Sequence, residues 1–159
     1  MTGVIMAGRT GASFAAQIGN MKVTEEIDAL QTFGISPMQY LVVPRLVALF
    51  VMMPLLTLYA DFVGMFGGAI VGVGMLKILP EKYLNHTLAA VSMTTFVIGL
   101  LKGSVFGVIV AVSGCLRGMQ CGRDSAAVGE ATTSAVVTSI VLIIVTDAIF
   151  TVVCNVLGV

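Results

Sequence analysis

Four ionisable side chains stand in or beside stretches too apolar to suit them: Arg9, Asp61, Lys102 and Asp147. A charge at the centre of a bilayer costs about 2.5–3.5 kcal/mol on insertion scales, so each should face a bundle, water, a headgroup or an opposite charge. The chemistry open to such a set is ionic. A cation can hold a phosphate, and a carboxylate can compete for that cation and release it. The plain reading of Asp61, Lys102 and Asp147 is charge pairing inside a helical bundle. The functional reading is a polar patch lining the path of a charged headgroup. Arg9 reads plainly as a snorkelling or bundle-facing charge near a helix end, and functionally as a contact to a phosphate or a nearby carboxylate.

No catalytic constellation accompanies them. The sequence has no G-x-x-x-x-G-K-[ST]; GLLKGS at 99–104 has the wrong order and lies in an apolar run. It has no nucleophile elbow, paired-carboxylate site or metal cluster. His86, the one histidine, reads as a surface residue. Cys115, Cys121 and Cys154 lack zinc-type spacing and read as small buried side chains or reduced thiols. The chain is therefore read as a non-enzyme with no cofactor of its own, and ATP-driven work would fall to another subunit.

Bulk composition sets the environment. The 159 residues are 58% hydrophobic and 10% charged, with mean hydropathy +1.08; soluble domains carry about 25% charged residues. A chain this apolar cannot cover itself with polar surface and belongs in a bilayer. Eight Lys+Arg balance eight Asp+Glu. Without a basic excess to displace counterions, nucleic acid is not an expected partner. MTGVIMAGRTGAS has no basic segment ahead of an apolar core, so it does not read as a signal peptide.

The elements that must position these charges are helices. Residues 1–20 read as the end of a transmembrane helix, with Ala7, Gly11, Ala15 and Gly19 as a small-residue ridge for close packing in lipid. Residues 46–76 read as one long span, with Pro54 as a kink site and Gly64, Gly68 and Gly72 as a second close-packing face. Residues 77–87 form a polar break. Residues 88–116 span again, with Gly103 and Gly107 in GxxxG spacing. Residues 117–130 form another break, and 131–157 the last span. The small and hydroxyl side chains of ATTSAVVTS, which opens that span, can bond to helical carbonyls or to neighbouring helices. The expected fold is all-α and polytopic, with three complete transmembrane helices plus the end of a fourth.

One stretch is different. Between Lys22 and Arg45, charge clusters ahead of the apolar runs. Thr24 can cap a helix, and Glu25, Glu26 and Asp28 would occupy its first turn, where the helix dipole favours negative charge. Val23, Ile27, Leu30 and Phe33 would form one apolar stripe. Gly34 suits the left-handed residue after a helix end. Ser36 and Pro37 would start a second short helix. Such a stripe needs a cover, either headgroups or a partner protein. Three acidic residues, with no Lys or Arg between 23 and 44, are poorly suited to an anionic leaflet.

The run EEIDALQTFGISPMQYLVVPR resembles the signature of MlaE-type permeases, the membrane subunits of ABC lipid transporters that work with MCE-domain proteins. Phe33 stands where Met is common. AGRTGASFAAQIG at 7–19 and VGEATTSAVVTSIVL at 128–142 match further, and the resemblance covers essentially the whole chain. It implies a single permease domain over 1–159, in the bacterial inner membrane, and a homodimer. It implies that 22–44 is a cytoplasmic coupling region, in which Glu25, Glu26, Ile27, Asp28, Leu30, Phe33 and Gly34 dock into an ATPase subunit. A periplasmic MCE-domain protein and phospholipid complete the implied partners. Family members carry more chain upstream, so an N-terminally truncated domain is expected. Positive charge agrees in orientation: Lys22, Arg45, Arg117 and Arg123 flank one side, Lys77 and Lys82 the other. Two other classes fit the composition: a membrane scaffold without a transport path, and a secondary transporter driven without ATP.

Overall fold

The computed structural model describes residues 1–74, 79–90 and 93–157. Helix α1 covers 2–23 and runs without a break through Thr2–Met6, a π turn at Ala7–Gly11 and Ala12–Val23. Helix α2 is the short Glu26–Thr32. Helix α3 is Met38–Gly74, opening with a π turn at Met38–Val42. Helices α4 (Pro80–Ala90), α5 (Met93–Gln120) and α6 (Ser125–Leu157) follow. There is no strand among the described residues. Helices α3, α5 and α6 are long and apolar enough to cross a membrane, which makes the fold all-α and polytopic.

Helix α5 is the hub. It packs on α1, α3 and α6, and α1 also packs on α6, whereas the backbones of α3 and α6 do not come close to each other among the described residues. Its glycines make those crossings close. Gly103 and Gly107 face α3, where added Cβ atoms would lie 3.1 Å from the Thr57 hydroxyl and 2.8 Å from the Leu49 carbonyl oxygen. Gly114 and Gly118 face α1, with Gly11, Ala15 and Ile18 opposite. In lipid, where helix association rests on van der Waals contact, such small-residue faces are the main cohesive device. The core follows from them. Ala7, Leu49, Met53, Val110, Ala111 and Ile143 form one buried cluster, and Ile18, Ile27, Leu41 and Cys115 form the other. Most remaining large apolar side chains of α3 and α6 point outward (Phe50, Phe62, Phe66, Ile144 and Val152 among them). That distribution suits hydrocarbon rather than water.

The ridge Ala7, Gly11, Ala15 and Gly19 is buried along its whole length. The face of Gly68 and Gly72 meets no helix backbone but the ring of Tyr83 from α4, whose hydroxyl donates to the Met65 carbonyl at 3.1 Å. Gly64 has nothing beside it.

Several boundaries differ from the sequence expectation. The described part of the 46–76 run, as far as Gly74, is a single helix carrying Pro54, but it begins at Met38; the second short helix after Pro37 is its first turns. Widening into a π turn lets the chain continue through Pro44, which has no N–H to donate. The break expected at 77–87 holds helix α4, begun by Pro80, though residues 75–78 lie outside the described part. The break expected at 117–130 narrows to 121–124, because α5 continues through Arg117 and α6 begins at Ser125.

Candidate functional site

Two clusters of polar residues stand out, one at the α2 end of the bundle and one within the spans. At the first, Thr24 does not cap α2. Its hydroxyl bonds back to Asn20 O at 3.1 Å, prolonging α1, and Lys22 and Val23 belong to α1. Glu25 takes the position before α2 instead, in the left-handed region at φ 60° and without a side-chain cap. A non-glycine there is uncommon, and the joint it makes turns the chain sharply. At the other end the Gly34 N–H bonds to Gln31 O and the Ile35 N–H to Leu30 O, with Gly34 at φ 75°. That pairing is a Schellman closure, in which the glycine is required by its backbone angle. Glu26 and Asp28 lie in the first turn of α2, where the dipole favours them.

The apolar stripe divides. Ile27 is buried in the protein's own core beside Ile18, Leu41 and Cys115, and Leu30 packs partly against that cluster. Phe33 is 80% exposed. Glu25, Glu26 and Gly34 are exposed as well. Asp28 pairs with Arg123 in the 121–124 link at 2.8 Å, and Lys22 Nζ donates to the Met119 carbonyl in the last turn of α5 at 2.8 Å. Arg45 crosses to α1, donating to Gln17 Oε1 at 3.2 Å and lying 5.2 Å from the Phe14 ring centre. Arg117 donates to the Thr138 hydroxyl of α6 at 3.2 Å.

In the second cluster Lys102 of α5 and Asp147 of α6 form an ion pair at 2.8 Å. The lysine is 24% exposed and the aspartate 53%. Lys102 lies nine residues from Met93, about 14 Å along the helix. Asp61 and Arg9 are exposed and enter no ion pair among the described residues; Arg9 sits in the π turn of α1. The four charges are thus not one site. Further along the α5–α6 seam, the hydroxyls of Ser113 and Ser139, both buried, hydrogen-bond to each other. His86 is exposed on α4. No group of acidic, histidine or cysteine residues suited to a metal occurs among the described residues.

Sequence reasoning missed the Gly114/Gly118 face, although its spacing repeats that of Gly103 and Gly107. It also missed the Asp28–Arg123 and Lys22–Met119 contacts, which join residues more than ninety positions apart and leave no local signal.

A bundle of three membrane-length apolar helices with an acidic, short surface helix at one end defines a multi-pass membrane protein. The chain belongs to the Permease MlaE family, which it matches over residues 1–153. It is 42% identical over 151 residues to a probable ABC transporter permease protein of Rickettsia typhi, covering 95% of this chain and 58% of that protein. A probable ABC transporter permease protein of Synechocystis is 42% identical over 147 residues, covering 92% and 56%. The chloroplastic protein TRIGALACTOSYLDIACYLGLYCEROL 1 of Arabidopsis thaliana is 36% identical over 147 residues, covering 92% and 42%. The chain thus spans somewhat over half the length of its bacterial relatives.

Proposed function

We propose that this chain forms part of the permease subunit of an ABC-type phospholipid transporter, coupled to a separate ATPase through α2. Family membership and relatives named as ABC transporter permeases support the transporter class. The name of the Arabidopsis relative, a glycerolipid, supports a lipid cargo. The structural observation that carries the coupling role is the way α2 is mounted. Ile27 and Leu30 anchor it to the bundle, while Phe33 projects bare at its C-terminal end and Glu25 and Glu26 are exposed at its N-terminal end. An exposed aromatic at one end of a short helix and carboxylates at the other suit an apolar groove with a basic edge. Phe33 supplies the packing, Glu25 and Glu26 set register, and Gly34 fixes the exit of the chain. In the spans, Lys102 is the cation that a headgroup phosphate would meet, with Asp147 as the anion it leaves and regains. Asp61 and Arg9, exposed and apart from that pair, are separate candidate contacts for a headgroup. The assembly holds two copies of the permease, the ATPase and a periplasmic MCE-domain protein, in the bacterial inner membrane. ATP is bound by the partner.

The test is mass spectrometry of the native complex, purified from its own membranes through a chromosomal C-terminal tag. Co-purification of an ATPase, an MCE-domain protein and phospholipid is the expected result. A complex without any ATPase overturns the reading and leaves the scaffold or secondary-transporter class.

A further inference from the structure

We propose that α2 acts on α5 through side chains, and that the Asp28–Arg123 ion pair is the positioning link on which this action depends. The inference rests on the coupling role given to α2 above and specifies the route beyond it.

Among the described helices, the backbone of α2 comes close only to that of α1. Its hold on the α5–α6 end is made of side chains. Ile27 packs in one cluster with Cys115 of α5, and Asp28 pairs with Arg123 in the link after α5. Just ahead of α2, Lys22 caps the last turn of α5 through the Met119 carbonyl. These contacts meet the same end of the same helix.

The joints of α2 are equally specific. Glu25 before it and Gly34 after it are the two positive-φ residues of the described chain, at 60° and 75°. A seven-residue helix between two sharp left-handed joints can swing as one strut. With Ile27 and the partly buried Leu30 as its inward anchors, that swing would pivot about these two side chains. A second fixed point, Asp28–Arg123, converts the pivot into a displacement of the 121–124 link.

The receiving end cannot absorb that displacement by sliding. Gly118 is wedged against Ile18 and Ala15, and Gly114 against the backbone of Gly11, at distances where a Cβ would not fit. Close-packed faces of this kind transmit rather than deform. A displacement of the link would then bear on α5 as a whole, a helix of 28 residues spanning about 42 Å. The link is also separable from stability. Both partners are well exposed, 68% for Arg123 and 47% for Asp28, and exposed pairs hold a fold together only weakly.

The test uses the complex purified from its own membranes, with Asp28→Arg, Arg123→Asp and the exchanged pair carrying both. The single variants should retain the bound ATPase and lower lipid moved per ATP hydrolysed by about fivefold, the factor that ~1 kcal/mol of positioning supplies. The exchanged pair should restore it, which a merely structural surface charge would not do. Wild-type coupling in the single variants overturns the proposal, as does failure of the exchanged pair to restore it. If the wild-type complex contains no ATPase, the coupling reading has failed. The mechanical link is then read by hydrogen exchange of the 113–120 amides in the purified chain. Faster exchange in the single variants and recovery in the exchanged pair support the link, and identical exchange in all forms overturns it.

Discussion

Gly114 of α5 lies so close to Gly11 of α1 that a Cβ on Gly114 would sit 2.8 Å from the Gly11 carbonyl oxygen. The neighbour is backbone, so no rotamer change relieves the clash and the two helices would have to part. Gly114→Ala should therefore destabilise the bundle by about 1–3 kcal/mol, as overpacking does, despite alanine's better helix propensity. Gly129→Ala, where nothing lies within 4 Å, is the matched control and should be neutral or stabilising. Thermal unfolding in detergent compares the two. Equal melting temperatures would show that the α1–α5 crossing is not tight.

Ile27 and Phe33 lie on one short helix and should separate by phenotype. Ile27 is 6% exposed within the core, so Ile27→Ala should cost about 2–4 kcal/mol through lost burial and a residual cavity. Phe33→Asp should leave thermal stability within about 0.5 kcal/mol, as exposed substitutions do, and remove most ATPase association in a pull-down. Retained association with Phe33→Asp would move the docking surface elsewhere.

Gly34 occupies φ 75° with open space around a would-be Cβ. Its requirement is thus conformational and not steric. Gly34→Ala should cost about 1 kcal/mol, and Gly34→Asn less, because asparagine enters the left-handed region more readily. Denaturant midpoints of the two variants check the order.

Lys102 and Asp147 should behave as a pair. Lys102→Met or Asp147→Leu alone strands a charge among apolar residues, whereas the double substitution strands none. The double variant should be more stable than the sum of the single losses predicts. A coupling of about 1 kcal/mol is expected, toward the low end for contacting residues because Asp147 is half exposed. A double-mutant cycle on thermal stability measures it, and an additive cycle would dissolve the pair.

Much of the architecture was legible because lipid imposes simple rules. Runs of about twenty apolar residues must be helices there, since each backbone polar group needs an internal partner. Pro54 inside an otherwise apolar run did not obscure a single helix, and the ridge of Ala7, Gly11, Ala15 and Gly19 was visible from its four-residue period. Helix ends were less legible. Thr24 has the right chemistry for a cap, but its hydroxyl found a carbonyl of the preceding helix first. Arg117 reads as the end of a span, yet the Thr138 hydroxyl and the turn below let α5 run on to Gln120.

The sequence by itself determined the membrane environment, the helical class, the ridge of Ala7, Gly11, Ala15 and Gly19, and the glycine stop at Gly34, because each depends on local chemistry and period. Only the tertiary structure decided which charges meet. Lys102 took Asp147 and not Asp61, and Asp28 took Arg123 from a link ninety-five positions away. It also decided that Ile27 faces inward while Phe33, six residues on, stays bare. The physical reason is common to all three. Pairing and burial depend on how α5 is seated between its neighbours, and that seating is fixed by backbone approach at glycines distributed over the whole helix.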